Sequence, residues 1–200
     1  QTQTASSENV PSEKSVAVLP FADMSQAGDQ EWFADGLAEE ILNSLVRVPD
    51  LRVASRTSSF AFRDSEQSVP QIASELGVAH VLEGSVRSAG DRIRVTAQLI
   101  RAKDGFHVFS ESYDRDVADM IGIQEDLARN IATALQTSMD PEALAAMAQV
   151  GTQSVSAYQE YLKGLQRQQE AMLATGGAEQ NLAAYEHFER ARELDPAFSS

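Results

Sequence analysis

The sequence contains no cysteine, which excludes disulfides, thiolate chemistry and cysteine-bound metals. That absence suits an oxidising compartment. It has no run of about 18 apolar residues, so no segment reads as a membrane-spanning helix. No secretory signal pattern is visible either. Positive charge is scarce: 16 Lys and Arg stand against 30 Asp and Glu, a formal net charge of −14. Such a surface repels phosphate backbones, which argues against nucleic acid as a partner. GxSxG, HExxH and Walker patterns are missing. The histidines His80, His107 and His187 are scattered, with no pair at metal-ligand spacing. No catalytic, cofactor-binding or metal-ligating residue is therefore expected, and the chain reads as non-enzymatic.

What is present is a foldable chain of 200 residues, 42% hydrophobic. Residues 1–14, QTQTASSENVPSEK, are polar and aperiodic and read as a flexible leader or linker. Because the chain starts at Gln1 without Met, it is expected to be cut from a longer protein. Residues 16–21 form a nearly continuous apolar run, the pattern of a strand buried on both faces. Phe33, Leu37, Ile41, Leu45 and Val48 then recur at helical spacing over 31–48, and Pro49 stops the helix. LRVAS, residues 51–55, is a second strand, so strand, helix and strand predict a right-handed parallel unit. Ser68 and Gln71 fit a capping box and Gly77 a helix end, predicting a short helix over 69–76.

Clean alternation follows in RIRVTAQLI. Ile93, Val95, Ala97 and Leu99 face one way, and Arg92, Arg94, Thr96 and Gln98 the other. Turns at Ala89-Gly90-Asp91 and Asp104-Gly105 make three antiparallel strands with residues 78–88 and 106–113. A third helix is expected over 117–137, with Ile121, Gln124, Leu127, Ile131 and Leu135 on one face, lying on the sheet. The predicted fold class is thus α/β: a mixed sheet of about five strands with three helices, β-α-β-α-β-β-β-α, spanning residues 15–137. Residues 138–153, broken by Pro141 and Gly151, read as a connector. Residues 154–200 form an all-α hairpin, one helix over 154–173 and another over 180–194, closed by Asp195-Pro196.

Candidate binding residues fall in three places. The acidic loop 22–32 runs from strand to helix, where ligands gather in α/β folds, but one glycine and no Lys or Arg make a poor phosphate cradle. It reads as a structural connection, with Trp32 and Phe33 as anchors if it binds a partner. Asp35, Glu39 and Glu40 share a helix; a solvated face explains them more simply than acid–base or cation chemistry. Gly36 within that helix costs about 1 kcal/mol against Ala, which a close packing contact would explain. Arg56, Thr57, Ser58 and Ser59 follow the second strand at the same sheet edge; capping is the plainer reading and anion binding the alternative. Phe60 and Phe62 read as core plugs.

Two resemblances emerge. Ala184, Phe188, Ala191 and Pro196 are spaced as in the second helix of a tetratricopeptide repeat. The first helix, with AYQEYLKG carrying Tyr158, Tyr161 and Leu162, matches loosely and lacks the Trp and the Leu-Gly pair. The resemblance implies a first repeat at 154–200, with more repeats beyond Ser200. SVAVLPFADMS, EWFADGLAEEI, LRVASRTSSFAF, IASELGVAHVLEGSVR, DRIRVTAQLI and IQEDLARNIATAL occur in order over about 15–136. Together they resemble the TolB-like amino-terminal domain of bacterial multidomain proteins. That resemblance implies a periplasmic piece, anchored to the inner membrane by a segment upstream of Gln1. It also implies a class III adenylate cyclase or winged-helix output domain across the membrane.

Two functions follow as expectations. The first is an interaction and signalling module whose repeats bind a protein or peptide, with Tyr158 and Tyr161 in the groove. The second is a small-molecule sensor with its ligand between 22–32 and 56–59. Homodimerisation belongs to a third reading, in which the α/β part is a scaffold.

Overall fold

The computed structural model describes residues 11–135, 152, 154–173 and 178–198. Most of the leader, nearly all of the connector with Pro141 and Gly151, and residues 174–177 lie outside these residues.

The apolar run folds as β1 (Ser15–Val18), buried along its whole length. It pairs in parallel with β3 (Arg52–Val53) on one side and β4 (His80–Ala89) on the other. Such a position needs apolar side chains on both faces. Val16 and Val18 enter the main core, while Ala17 and Leu19 meet a smaller cluster with Ile72, Ala73 and Val81. The strand stops earlier than residue 21 because Pro20 has no N–H for the ladder. The chain rejoins β4 as β2 (Ala22–Asp23), a two-residue strand that the sequence pattern does not reveal. The sheet therefore has six strands, in the order β3-β1-β4-β5-β6 with β2 beside β4.

Helix α1 (Glu31–Val46) crosses from β2 to β3, and Asp50 turns the chain with φ of 63°. Residues 56–60 form the short helix α2 (Arg56–Phe60), begun by the Ser55 hydroxyl accepting the Ser58 N–H. Helix α3 (Val69–Leu76) carries the expected capping box and ends at Gly77 in the left-handed region. β4, β5 (Arg92–Arg101) and β6 (His107–Asp116) form the antiparallel half, turned at Gly90 and Gly105. As the alternation predicts, Ile93, Val95, Ala97 and Leu99 are buried. After a 3-10 turn (Val117–Asp119), α4 (Met120–Ala134) lays Ile123, Leu127 and Ile131 into the main core.

The last two helices, α5 (Val155–Leu173) and α6 (Ala178–Leu194), pack as a pair in which Phe188 lies on Gly164. A Cβ on Gly164 would stand 2.4 Å from the Phe188 ring. The pair is docked on the α/β part. Leu162 presses against Gly36 of α1, where a Cβ would come within 2.7 Å of the leucine side chain. This is the close contact that a helical glycine calls for. Tyr158 and Leu162 have no exposed surface and belong to the same core as the sheet and α1.

Candidate functional site

The strand-to-helix loop ties itself down. The Asp23 carboxylate accepts the N–H groups of Ser25 at 2.8 Å and Gln30 at 2.7 Å. Burial is the largest single influence and pushes the Asp23 carboxyl up, but the hydrogen bonds from Ser25 and Gln30 together outweigh it and hold the group below the usual carboxylate range. The Ser25 hydroxyl in turn accepts the Ser88 N–H at 2.9 Å, pinning the loop to β4. Phe33 is 1% exposed and is core, not a partner anchor. Trp32 is half-buried, edge-on to Phe33 at 5.8 Å, with the Lys163 ammonium 5.4 Å from its ring centre.

The acidic positions of α1 are not a solvated face. Glu31, Asp35 and Glu39 recur every fourth residue, and Arg63 bridges Glu31 and Asp35. The Arg56 Nε stands 2.7 Å from Glu39, its guanidinium 4.4 Å above the Phe60 ring, and its Nη2 donates to Gln169 of α5. Arg56 thus joins α2 to α1 and α5 and does not face open space. Ser59 is buried, while Thr57 and Ser58 are exposed on the outside of α2. The structure does not bring the 22–32 and 56–59 segments together around a ligand cavity. Tyr158 is likewise no groove residue: its hydroxyl donates to Gln124 inside the core. Tyr161 is partly buried and its hydroxyl donates to Glu40 at 3.4 Å. Among the described residues no group of three His, Asp or Glu side chains is placed to hold a metal ion.

Burial pushes the carboxyls of Asp35 and Glu39 above their ordinary values despite the arginines, and raises Glu40, which Glu39 also repels. Groups raised by folding stabilise the fold fully below their unfolded values, here 3.8 and 4.5, and lose that contribution as pH rises through the folded values. The lowered carboxylates Asp23, Glu160, Asp104 and Asp114 act in the opposite sense, as does His80, whose imidazole burial pushes down. Relative to the Glu40→Gln variant, which lacks one of the raised groups, the wild-type urea midpoint is therefore expected to fall as pH is raised from about 4.5 to 7. A relative midpoint that climbs over this interval would contradict the assignment.

The open space lies elsewhere, on the face of β4–β5–β6 away from α1 and α4. One cavity of about 350 Å³ sits where β1 ends, lined by Pro20, Phe62, Asp64, Glu83, Thr96 and Gln98 among others. A second, of about 270 Å³, is lined by Met24, Ser85, Arg87, Arg94, Thr96 and Ser112. Ser85 and Thr96 line both, so the two adjoin along the sheet face and are together called a trough. The alternation in RIRVTAQLI marks this as the polar face. That its two ends differ in charge emerges only once the strands are in register.

Residues 12–134 match the profile of the second domain of HilA/YgeH-like transcriptional regulators. Over 130 residues, 65% of the chain, the sequence is 42% identical to a protein of Rhizobium meliloti (strain 1021) that carries the name adenylate cyclase 3. The chain spans 22% of that relative's length. Among solved structures it is similar to TolB from Acinetobacter baumannii, with 17% identity and a TM-score of 0.47 over 60% of this chain and 28% of that one. The LpoB C-terminal domain from Salmonella enterica gives 16% identity and a TM-score of 0.43 over 55% of this chain and 87% of that one. With a family profile covering more than half of its residues, the chain belongs to the family of the HilA/YgeH-like transcriptional regulator second domain.

Proposed function

We propose that this chain is a non-catalytic signalling and interaction module of a larger bacterial membrane protein. One observation carries the reading: the same α/β segment is shared by a family of transcriptional regulators and by a relative named as an adenylate cyclase. Outputs of such unlike chemistry have no common catalyst, so the shared part is the part that regulates. Most of the relative's length lies outside the matched region, which leaves room for an output domain there. In this reading the module sits in the periplasm, tethered to the inner membrane through a segment before Gln1, and the output is cytoplasmic. The helix pair is the first of a set of tetratricopeptide repeats that bind a protein or peptide. Leu182 and Tyr185, each 60% exposed on α6, form the surface on which further helices or the partner pack.

The flanking coding sequence tests this. A membrane segment before Gln1 with a cyclase or DNA-binding domain preceding it is the expected arrangement. A catalytic domain fused on the same side as this chain, with no membrane segment between, would overturn the topology. A second reading, in which the α/β domain senses a small molecule, is favoured by the trough on the open sheet face.

A further inference from the structure

The β4–β5–β6 ladder sets three polar rows side by side. Glu83 lies opposite Gln98, Ser85 opposite Thr96, and Arg87 opposite Arg94. The third strand completes the rows with Ser110, Ser112 and Asp114. The trough therefore carries Glu83 and Asp64 at one end, where Arg63 also lines it but is held by Glu31 and Asp35, hydroxyls in the middle, and Arg87 with the Arg94–Asp114 pair at the other. Two arginines directly opposite each other destabilise a sheet unless something compensates them. Asp114 takes Arg94, with Nη2 at 2.6 Å and Nε at 3.2 Å. Arg87 forms no ion pair among the described residues, in a chain of net charge −14. At the other end Glu83 is half-buried and has no hydrogen-bond or ion-pair partner among the described residues. Asp64 stands beside it on the trough wall. The Glu83 oxygens reach solvent, so water satisfies them until a cationic ligand group takes that place.

From the unpaired Arg87 and Glu83 we propose that the trough binds a short extended peptide, its C-terminal carboxylate on Arg87 beside Arg94 and its N-terminal ammonium on Glu83 beside Asp64. Length selects the ligand. Glu83 and Arg87 are four positions apart on one strand, roughly 13 Å. A free amino acid is too short to reach both ends. An extended peptide of about four residues spans that distance. The hydroxyl row between the ends meets the peptide's main chain, and Phe62 and Pro20 flank its first residue. A guanidinium fork receives a carboxylate through two parallel hydrogen bonds, which makes Arg87 the residue of greatest leverage.

The proposal rests on reading the α/β domain as a binding module, but its test uses no output domain, so the two can fail separately. The test is calorimetric titration of the 200-residue chain with zwitterionic tetra-alanine, its C-terminal amide, its N-acetyl form and free alanine. Tetra-alanine is expected to bind. Amidation or Arg87→Ala should weaken binding at least tenfold, and N-acetylation or Glu83→Gln several-fold. Both side chains point outward on the sheet, and unchanged circular dichroism of the variants confirms folding. No heat from millimolar tetra-alanine, equal binding of the blocked peptides, or equal binding of free alanine would each overturn the proposal.

Discussion

Tyr158→Ala lowers the stability of the chain by about 4 kcal/mol and loosens the helix pair from the α/β part. Truncating a fully buried aromatic ring costs about 3–5 kcal/mol through lost transfer energy and the cavity left behind. Tyr158 has no exposed surface and packs in the core shared by the sheet, α1, α4 and α5. Its hydroxyl also donates to Gln124, itself 2% exposed, so the substitution strands a buried amide oxygen at about 1–3 kcal/mol. The two costs overlap and do not add in full. Tyr158→Phe keeps the ring and should cost only the second. The single tryptophan separates undocking from unfolding, because Lys163 of α5 lies over the Trp32 ring. In Tyr158→Ala, Trp32 fluorescence should change at lower urea than the circular dichroism of the sheet. Coincident transitions at the wild-type midpoint would contradict the docking.

Gly84→Val is the second large effect, at about 3 kcal/mol or more. A Cβ at this position would stand 2.6 Å from the Thr96 carbonyl oxygen and 2.7 Å from Cε2 of Phe21. The first neighbour is ladder backbone and cannot withdraw without breaking the β4–β5 pairing. The second is a ring that is 1% exposed and fills the gap left where Pro20 interrupts β1 and β2. Overpacking of this kind costs about 1–3 kcal/mol even where side chains can yield, and here the backbone adds to it. Gly36→Ala makes the useful contrast. Its near neighbours all belong to the Leu162 side chain, and the helix gains about 1 kcal/mol of propensity from alanine. Thermal melts should therefore rank Gly84→Val far below Gly36→Ala. Similar losses for the two would show that the Phe21 and Thr96 contacts are not rigid.

Local chemistry was legible in the sequence where it has a short-range signature. The Ser68–Gln71 box, the Gly77 stop, the turn glycines and the alternation of β5 each work within a few residues. β2 was hidden because a proline splits one line of pairing into two, and two residues carry no period. The short α2 was hidden for the same reason. The docking of α5 could not be read at all. It depends on pairs more than 30 positions apart, such as Tyr158 with Gln124 and Arg56 with Gln169. Gly36 did announce a close neighbour, but not that Leu162 is the neighbour. Likewise Glu83 and Arg94 lie in separate strands, and only the register places them at opposite ends of one trough.

In the proposed function this chain regulates an output that it does not itself catalyse. The most direct measurement is the output of the longer protein that contains it, as cyclic AMP formed or transcription driven. It is compared at equal protein level between wild type, Tyr158→Phe and Tyr158→Ala. A changed output is expected in Tyr158→Ala, with the isolated output domain as active as before and Tyr158→Phe close to wild type. An output that is the same in all three, and unaltered when residues 15–198 are deleted, would contradict it.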